Sequence, residues 1–197
     1  MPNWAITRIT INHDDENKLK EFEKLINEWT SKNYMENGFG LQWLGNIVGN
    51  SGIGTIDKNL ETDLRCRGSI TWMECDDNQL LIDTETAWCP MLKMWVKLLE
   101  KYLPDAELIY SAEECGMEIY STNDPCLKDC YIMNCWDMDD IESDWEASEE
   151  TVRKVLQELL QTDETDIEKL IELLNDSEYS DKMIIHKWEY DDISVWE

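Results

Sequence analysis

Between Gln79 and Asp124 the chain reads strand, helix, strand, strand, with a tight corner at each join, and this order restricts the available folds more than any other feature. Leu80, Leu81 and Ile82 form a short apolar run of strand character. Pro90 suits the first position of a helix, where its missing N–H would go unused. Leu92, Trp95, Leu98, Leu99 and Tyr102 recur behind it at helical spacing. Pro104 stops that helix, because the residue before a proline is pushed out of the α region. Leu108, Ile109 and Tyr110 predict the next strand, Glu113 to Gly116 a turn, and Met117, Ile119 and Tyr120 a returning strand. A helix set between strands that then fold back is the second half of a split βαβ unit.

The first half precedes it. Residues 4–12 are rich in β-branched side chains and predict a strand. The acidic run at His13–Asn17 then suits the positive end of a helix dipole. Leu19, Phe22, Leu25, Ile26 and Trp29 fall on one face of that helix, the spacing of a core stripe. Residues 65–78 predict another strand, turning at Asp76-Asp77-Asn78 into Leu80–Ile82. Arg65 and Arg67 stand out in an acidic chain, and pairing with nearby carboxylates is the plain expectation. Residues 33–64 hold six of the eight glycines, at 38, 40, 45, 49, 52 and 54. They match neither a phosphate-binding loop nor a dinucleotide fingerprint. An irregular insertion is expected there, with Leu41, Trp43, Leu44, Ile47 and Val48 packed on the sheet. Trp43 is also a candidate contact residue, since long loops often carry function.

The fold expected for residues 1–135 is therefore an α+β, ferredoxin-like antiparallel sheet with helices packed on one face. Asp129–Trp136 predicts another strand. From residue 136 the composition shifts: residues 136–197 hold 21 acidic and 5 basic side chains. This acidic extension is still patterned. Val152, Val155, Leu156, Leu159 and Leu160 mark one amphipathic helix. Thr165 with Glu168 suggests a capping box before Ile167, Leu170, Ile171 and Leu174. Met183–Glu197 alternates as a strand or hairpin. The extension is expected to fold as α+β rather than to remain a disordered acidic tail.

Charge excludes some functions. The chain carries a formal −27 over 197 residues. Direct nucleic-acid binding needs a basic surface, so it is not expected. A basic protein partner is. No stretch approaches the roughly 20 apolar residues of a spanning helix, the N-terminus does not read as a signal peptide, and a cytoplasmic location is expected. Seven cysteines, an odd number, point to reduced thiols. Cys126, Cys130 and Cys135 lie close in sequence, yet none has C-x-x-C spacing, and a zinc site would need a fourth ligand. No cofactor is expected.

The segments Asn3–Ile11 (N-W-x-x-T-R-I-T-I), Cys66–Ile70 (C-R-G-S-I), Thr84–Trp88 (T-E-T-A-W), Lys101–Pro104 (K-Y-L-P) and Glu113–Gly116 (E-E-x-G) follow one another in an order that resembles the YubB-like proteins. These are a ferredoxin-like group encoded by plasmids and bacteriophages. The resemblance covers about the first two-thirds of the chain. It implies a ferredoxin-like sheet and a mobile-element origin, and it carries over no catalytic residue. The glycine-rich insertion and the acidic extension depart from it.

No catalytic constellation accompanies these features, and the chain reads as a non-enzyme. His13 and His186 have no nucleophile motif beside them. Adjacent carboxylates such as Glu113 and Glu114 on a strand point to opposite faces, which argues against a dyad. The leading functional reading is a phage or plasmid protein that inhibits a host defence nuclease, anti-CRISPR or anti-restriction, by acidic mimicry of nucleic acid. Its partner would be a basic nuclease or Cas effector. Asp137, Asp139, Asp140, Glu142, Asp144, Glu146, Glu149 and Glu150, with Trp43, are the candidate partner-binding residues. The alternative is a non-catalytic small-molecule-binding or regulatory module, for which tryptophans such as Trp43, Trp136, Trp145 and Trp196 would line a pocket or interface.

Overall fold

Strand β1 (Trp4–Asn12) alternates strictly. Ala5, Thr7, Ile9 and Ile11 are buried, while Trp4, Ile6 and Arg8 face the other way, as side chains on a pleated strand must. This and the other elements come from a computed structural model that describes residues 3–138 and 141–191. The chain is α+β throughout and divides into two units, one ending at Ser121 and one spanning Thr122–Asp191, each with a hydrophobic core of its own.

The first unit continues with α1 (Glu16–Thr30), α2 (Leu44–Ser51), β2 (Gly68–Asp76), β3 (Gln79–Ala87), α3 (Leu92–Tyr102), β4 (Glu107–Glu114) and β5 (Ile119–Thr122). Its strands lie in the order β2-β3-β1-β4-β5. β1 is antiparallel to both β3 and β4, and β2 is antiparallel to β3. The registers Ile9↔Ile82, Ile11↔Leu80 and Ile9↔Tyr110 align the buried sets of three strands. Leu19, Phe22 and Ile26 of α1 and Trp95, Leu98 and Leu99 of α3 close over that face. Each such side chain contributes about 1.5–3 kcal/mol on burial. On the opposite face Arg8 donates two hydrogen bonds of 2.9 Å to Asp83, its direct cross-strand neighbour.

The acidic run before α1 acts as a cap. The Asp15 carboxylate accepts from the N–H groups of Asn17 and Lys18, and His13 Nδ1 accepts from Asp15 N at 2.8 Å. His13 is thus a buried structural residue.

Several expectations are corrected. The glycine-rich segment is not wholly irregular, because α2 forms within it. Trp43, Leu44, Ile47 and Val48 are buried as expected, but Leu41 is 58% exposed. α2 exists despite its glycines because two bare helical positions receive aromatic rings: Trp43 lies against Gly45, and Tyr34 against Gly49. At its end Lys101 donates to the carbonyls of Ser51 and Gly52, a favourable place for a cation. α3 starts at Leu92, not at Pro90, because Met91 is still outside the helical region at φ −94° and ψ 48°. β4 runs on through Glu113 and Glu114, so the turn falls at residues 115–118, where Gly116 N donates to Glu114 Oε1 at 2.9 Å.

The second unit comprises β6 (Tyr131–Cys135), β7 (Asp144–Ala147), α4 (Glu149–Leu160), α5 (Ile167–Asn175), β8 (Met183–Lys187) and β9 (Glu189–Tyr190). β7, β6 and β8 form an antiparallel sheet with β6 in the middle. Val152 and Leu156 of α4 and Leu170 and Leu174 of α5 pack with Tyr131, Met133, Met183 and Ile185. The unit begins at Thr122, ahead of the composition shift at residue 136. The reason is β6: its apolar run is the centre of the second sheet and not the last strand of the first. Ser148 caps α4. Asp166, rather than Thr165, caps α5 by accepting from the N–H groups of Glu168 and Lys169. The strand expected after Asp192 lies outside the described residues. Among the described residues no helix is long and apolar enough to cross a membrane.

Candidate functional site

The second unit holds 21 acidic and 6 basic residues within 122–191. Local geometry divides the candidate carboxylates into two groups. Glu149 and Glu150 sit in the first turn of α4, where the helix dipole favours them, and pair with Arg153 and Lys154 one turn on. The Lys154 ammonium, hydrogen-bonded to Glu150, holds that carboxyl below its ordinary value. Asp144 is half-buried and accepts from Glu146 N at 2.9 Å, so it shapes the start of β7. Asp137, Glu142 and Glu146 are exposed, and no ion pair involves them among the described residues. Asp139 and Asp140 lie outside the described residues.

The unit's cations are largely engaged. Besides Arg153 and Lys154, Lys169 faces Glu164 and Lys187 faces Asp129, both at 3.9 Å. Lys128 stands 5.0 Å from the centre of the Tyr190 ring. Two tryptophans flank the acidic stretch: Trp136 is 48% exposed and Trp145 43%. The Trp145 carbonyl is held by the indole N–H of Trp188 at 2.9 Å, which fixes the backbone beneath it. Asp137, Glu142 and Glu146 are thus exposed carboxylates in the same stretch of chain as two exposed tryptophans.

Trp43, the remaining candidate, belongs to the first unit and is only 2% exposed, so its ring is not an open contact surface. It lines a cavity of about 590 Å³ together with Phe39, Arg65, Cys66, Arg67 and Trp88. The two arginines do not pair with carboxylates as expected from sequence. Arg65 Nη1 donates to Cys89 Sγ at 3.5 Å, and the Arg67 guanidinium lies 5.2 Å from the centre of the Trp88 ring. The alternation through this extended segment explains the placement: Cys66 is buried, and its two neighbours point outward together. Burial pushes the Cys66 thiol up to about 11, so Cys66 itself is neutral between the two arginines. Sequence reasoning noted the arginines but lacked the signal that unites them with Phe39, Trp43 and Trp88, which come from separate stretches.

Other candidates disperse. Glu114 is buried and Glu113 lies half-buried on the opposite face, so they form no dyad. Burial pushes the Glu113 carboxyl above its ordinary value. The Cys130 thiol donates to the Cys126 carbonyl at 3.3 Å, and all seven cysteines are free. Among the described residues no three His, Cys, Asp or Glu side chains gather as a metal-holding group. Comparison with protein-family models, with curated proteins and with solved structures finds no match in any of the three.

Proposed function

We propose that this is a mobile-element protein whose second unit is an acidic docking surface for a basic, nucleic-acid-handling protein of the host cytoplasm, such as a defence nuclease or Cas effector, which it inhibits by offering carboxylates in place of phosphates. The first unit is read as a ferredoxin-like βαββαβ sheet that carries this surface; its 2-3-1-4 strand order and antiparallel registers support that reading. The observation that carries the functional reading is the core of the second unit: Val152, Leu156, Leu170 and Leu174 pack with Tyr131 and Met133, so the unit that bears the carboxylates is folded. A partner then meets its carboxylates without ordering a disordered tail, which lowers the cost of association. Engagement of most cations within the unit leaves its field negative at Asp137, Glu142 and Glu146, and Trp136 and Trp145 supply the apolar anchors typical of binding hot spots.

Long-range attraction of this kind speeds association and weakens with salt. The test is inhibition and co-purification of candidate Cas effectors and restriction nucleases at low and high salt, with wild type and an Asp137→Asn, Glu142→Gln, Glu146→Gln variant. The expected result is inhibition that falls at least about tenfold in the variant and declines steeply with salt. Inhibition unchanged in the variant, or absent at every salt concentration, overturns the reading.

A further inference from the structure

The cavity of the first unit is chemically opposite to the rest of the molecule. The protein carries −27 overall, yet the described residues that line the cavity include two arginines and no aspartate or glutamate. We propose that it is a binding site for a nucleoside monophosphate, with the phosphate on Arg65 and Arg67 and the base against Trp88.

Three observations converge on this ligand. First, Arg65 and Arg67 are exposed cations with no carboxylate partner among the described residues. A planar guanidinium presents paired donors that match phosphate oxygens. Second, Phe39, Trp43 and Trp88 contribute aromatic surface, and the Arg67–Trp88 contact places a guanidinium beside a ring that is still 46% exposed. A base stacking on that ring would have the phosphate-binding charge next to it. Third, Trp88 has φ 67°, a left-handed conformation that a bulky residue rarely adopts. It is held there by a 2.9 Å hydrogen bond from its N–H to the Asn3 carbonyl. Strained positions of this kind cluster at binding and active sites.

Size and charge select a small ligand over a polymer. A volume of about 590 Å³ suits a small organic molecule. A nucleic-acid chain would bring many phosphates against a surface of net −27, whereas one phosphate can be met by two arginines. The site has no glycine-rich phosphate loop, which is why the sequence motifs did not reveal it. It does not depend on the role of the acidic unit, and the two readings fail separately.

The test is isothermal titration of the full chain with AMP, GMP, CMP and UMP, and with adenosine and inorganic phosphate as part-ligands. The variants are Arg65→Gln/Arg67→Gln and Trp88→Leu, with far-UV circular dichroism and the melting temperature confirming the fold. At least one monophosphate is expected to bind, while adenosine and phosphate each bind at least about tenfold more weakly. The double arginine variant should lose at least about thirtyfold in affinity, the loss of two charge-assisted contacts. Trp88→Leu should lose about five- to tenfold, the loss of one stacked base. The proposal is overturned by no binding up to about 5 mM of any monophosphate, by equal affinity in the arginine variant, or by inorganic phosphate binding as tightly as the nucleotide.

Discussion

Replacing Gly45 by alanine sets two effects of known sign against each other. Gly45 lies in α2, and on helix propensity alone alanine would stabilise the position by about 1 kcal/mol. A Cβ there would, however, lie 2.1 Å from Cζ2, 2.2 Å from Cε2 and 2.5 Å from Cη2 of Trp43. Carbon atoms in van der Waals contact sit about 3.5–4.0 Å apart, so the indole must shift by more than an ångström. It has little room to do so. The ring is buried, it packs edge-on to Phe39 at 5.3 Å, and its far side lies so close to Gly38 that a Cβ there would be 2.7 Å away. Overpacking of this kind costs about 1–3 kcal/mol, and a ring sandwiched between two glycines belongs at the upper end. The net expectation is a loss of about 2 kcal/mol, or ~4–8 °C in Tm. Urea unfolding followed by far-UV circular dichroism measures it. A double variant, Trp43→Leu/Gly45→Ala, should recover at least about 1.5 kcal/mol relative to the sum of the single changes. Stabilisation of Gly45→Ala by the propensity increment, or additivity in the double variant, would refute the packing argument.

Three further outcomes are expected. Glu113 has a folded-state pKa raised by burial, so its contribution favours folding at low pH and is lost as pH rises through the folded value. Glu113→Gln should therefore raise Tm at pH 7, with the gain fading below about pH 4; a gain that persists undiminished in acid contradicts this. Leu156 and Leu170 are fully buried in the second core, so Leu156→Ala or Leu170→Ala should cost about 2–5 kcal/mol in the unfolding of that unit. A loss under about 1 kcal/mol would mean that these helices do not share a close-packed core. Cys66 is buried with a thiol pushed up to about 11, whereas Cys115 and Cys126 are exposed. Mass spectrometry after iodoacetamide treatment at pH 8 should find Cys115 and Cys126 labelled well before Cys66, because the thiolate is the reactive form. Equal labelling rates in the folded protein would remove Cys66 from the buried wall of the cavity.

Local order was legible in the chain because it rests on periodicity. The alternation of Ala5, Thr7, Ile9 and Ile11 fixes β1, and the spacing of Leu19, Phe22, Ile26 and Trp29 fixes the inner face of α1. The acidic residues ahead of α1, the turn at Asp77 (φ 47°) and the patterned helices of the acidic extension also follow from short-range chemistry. The charge asymmetry that motivates the docking surface is a property of composition alone.

Partnership between distant residues needed the tertiary structure. An apolar run such as Tyr131–Cys135 can complete either sheet, and only pairing with β7 and β8 assigns it to the second. A segment rich in glycine argues against a helix, yet α2 forms because packing of Trp43 and Tyr34 on bare glycine faces outweighs weak propensity. Glu149 and Glu150 look like free carboxylates in sequence, and the helix gives each a cation one turn away. Arg65 and Arg67 look like ion-pair residues, and the fold instead gives them aromatic and sulfur neighbours. Sequence patterns report which face of an element is apolar. They do not report which elements meet across a cavity, because that depends on contacts between residues far apart in the chain.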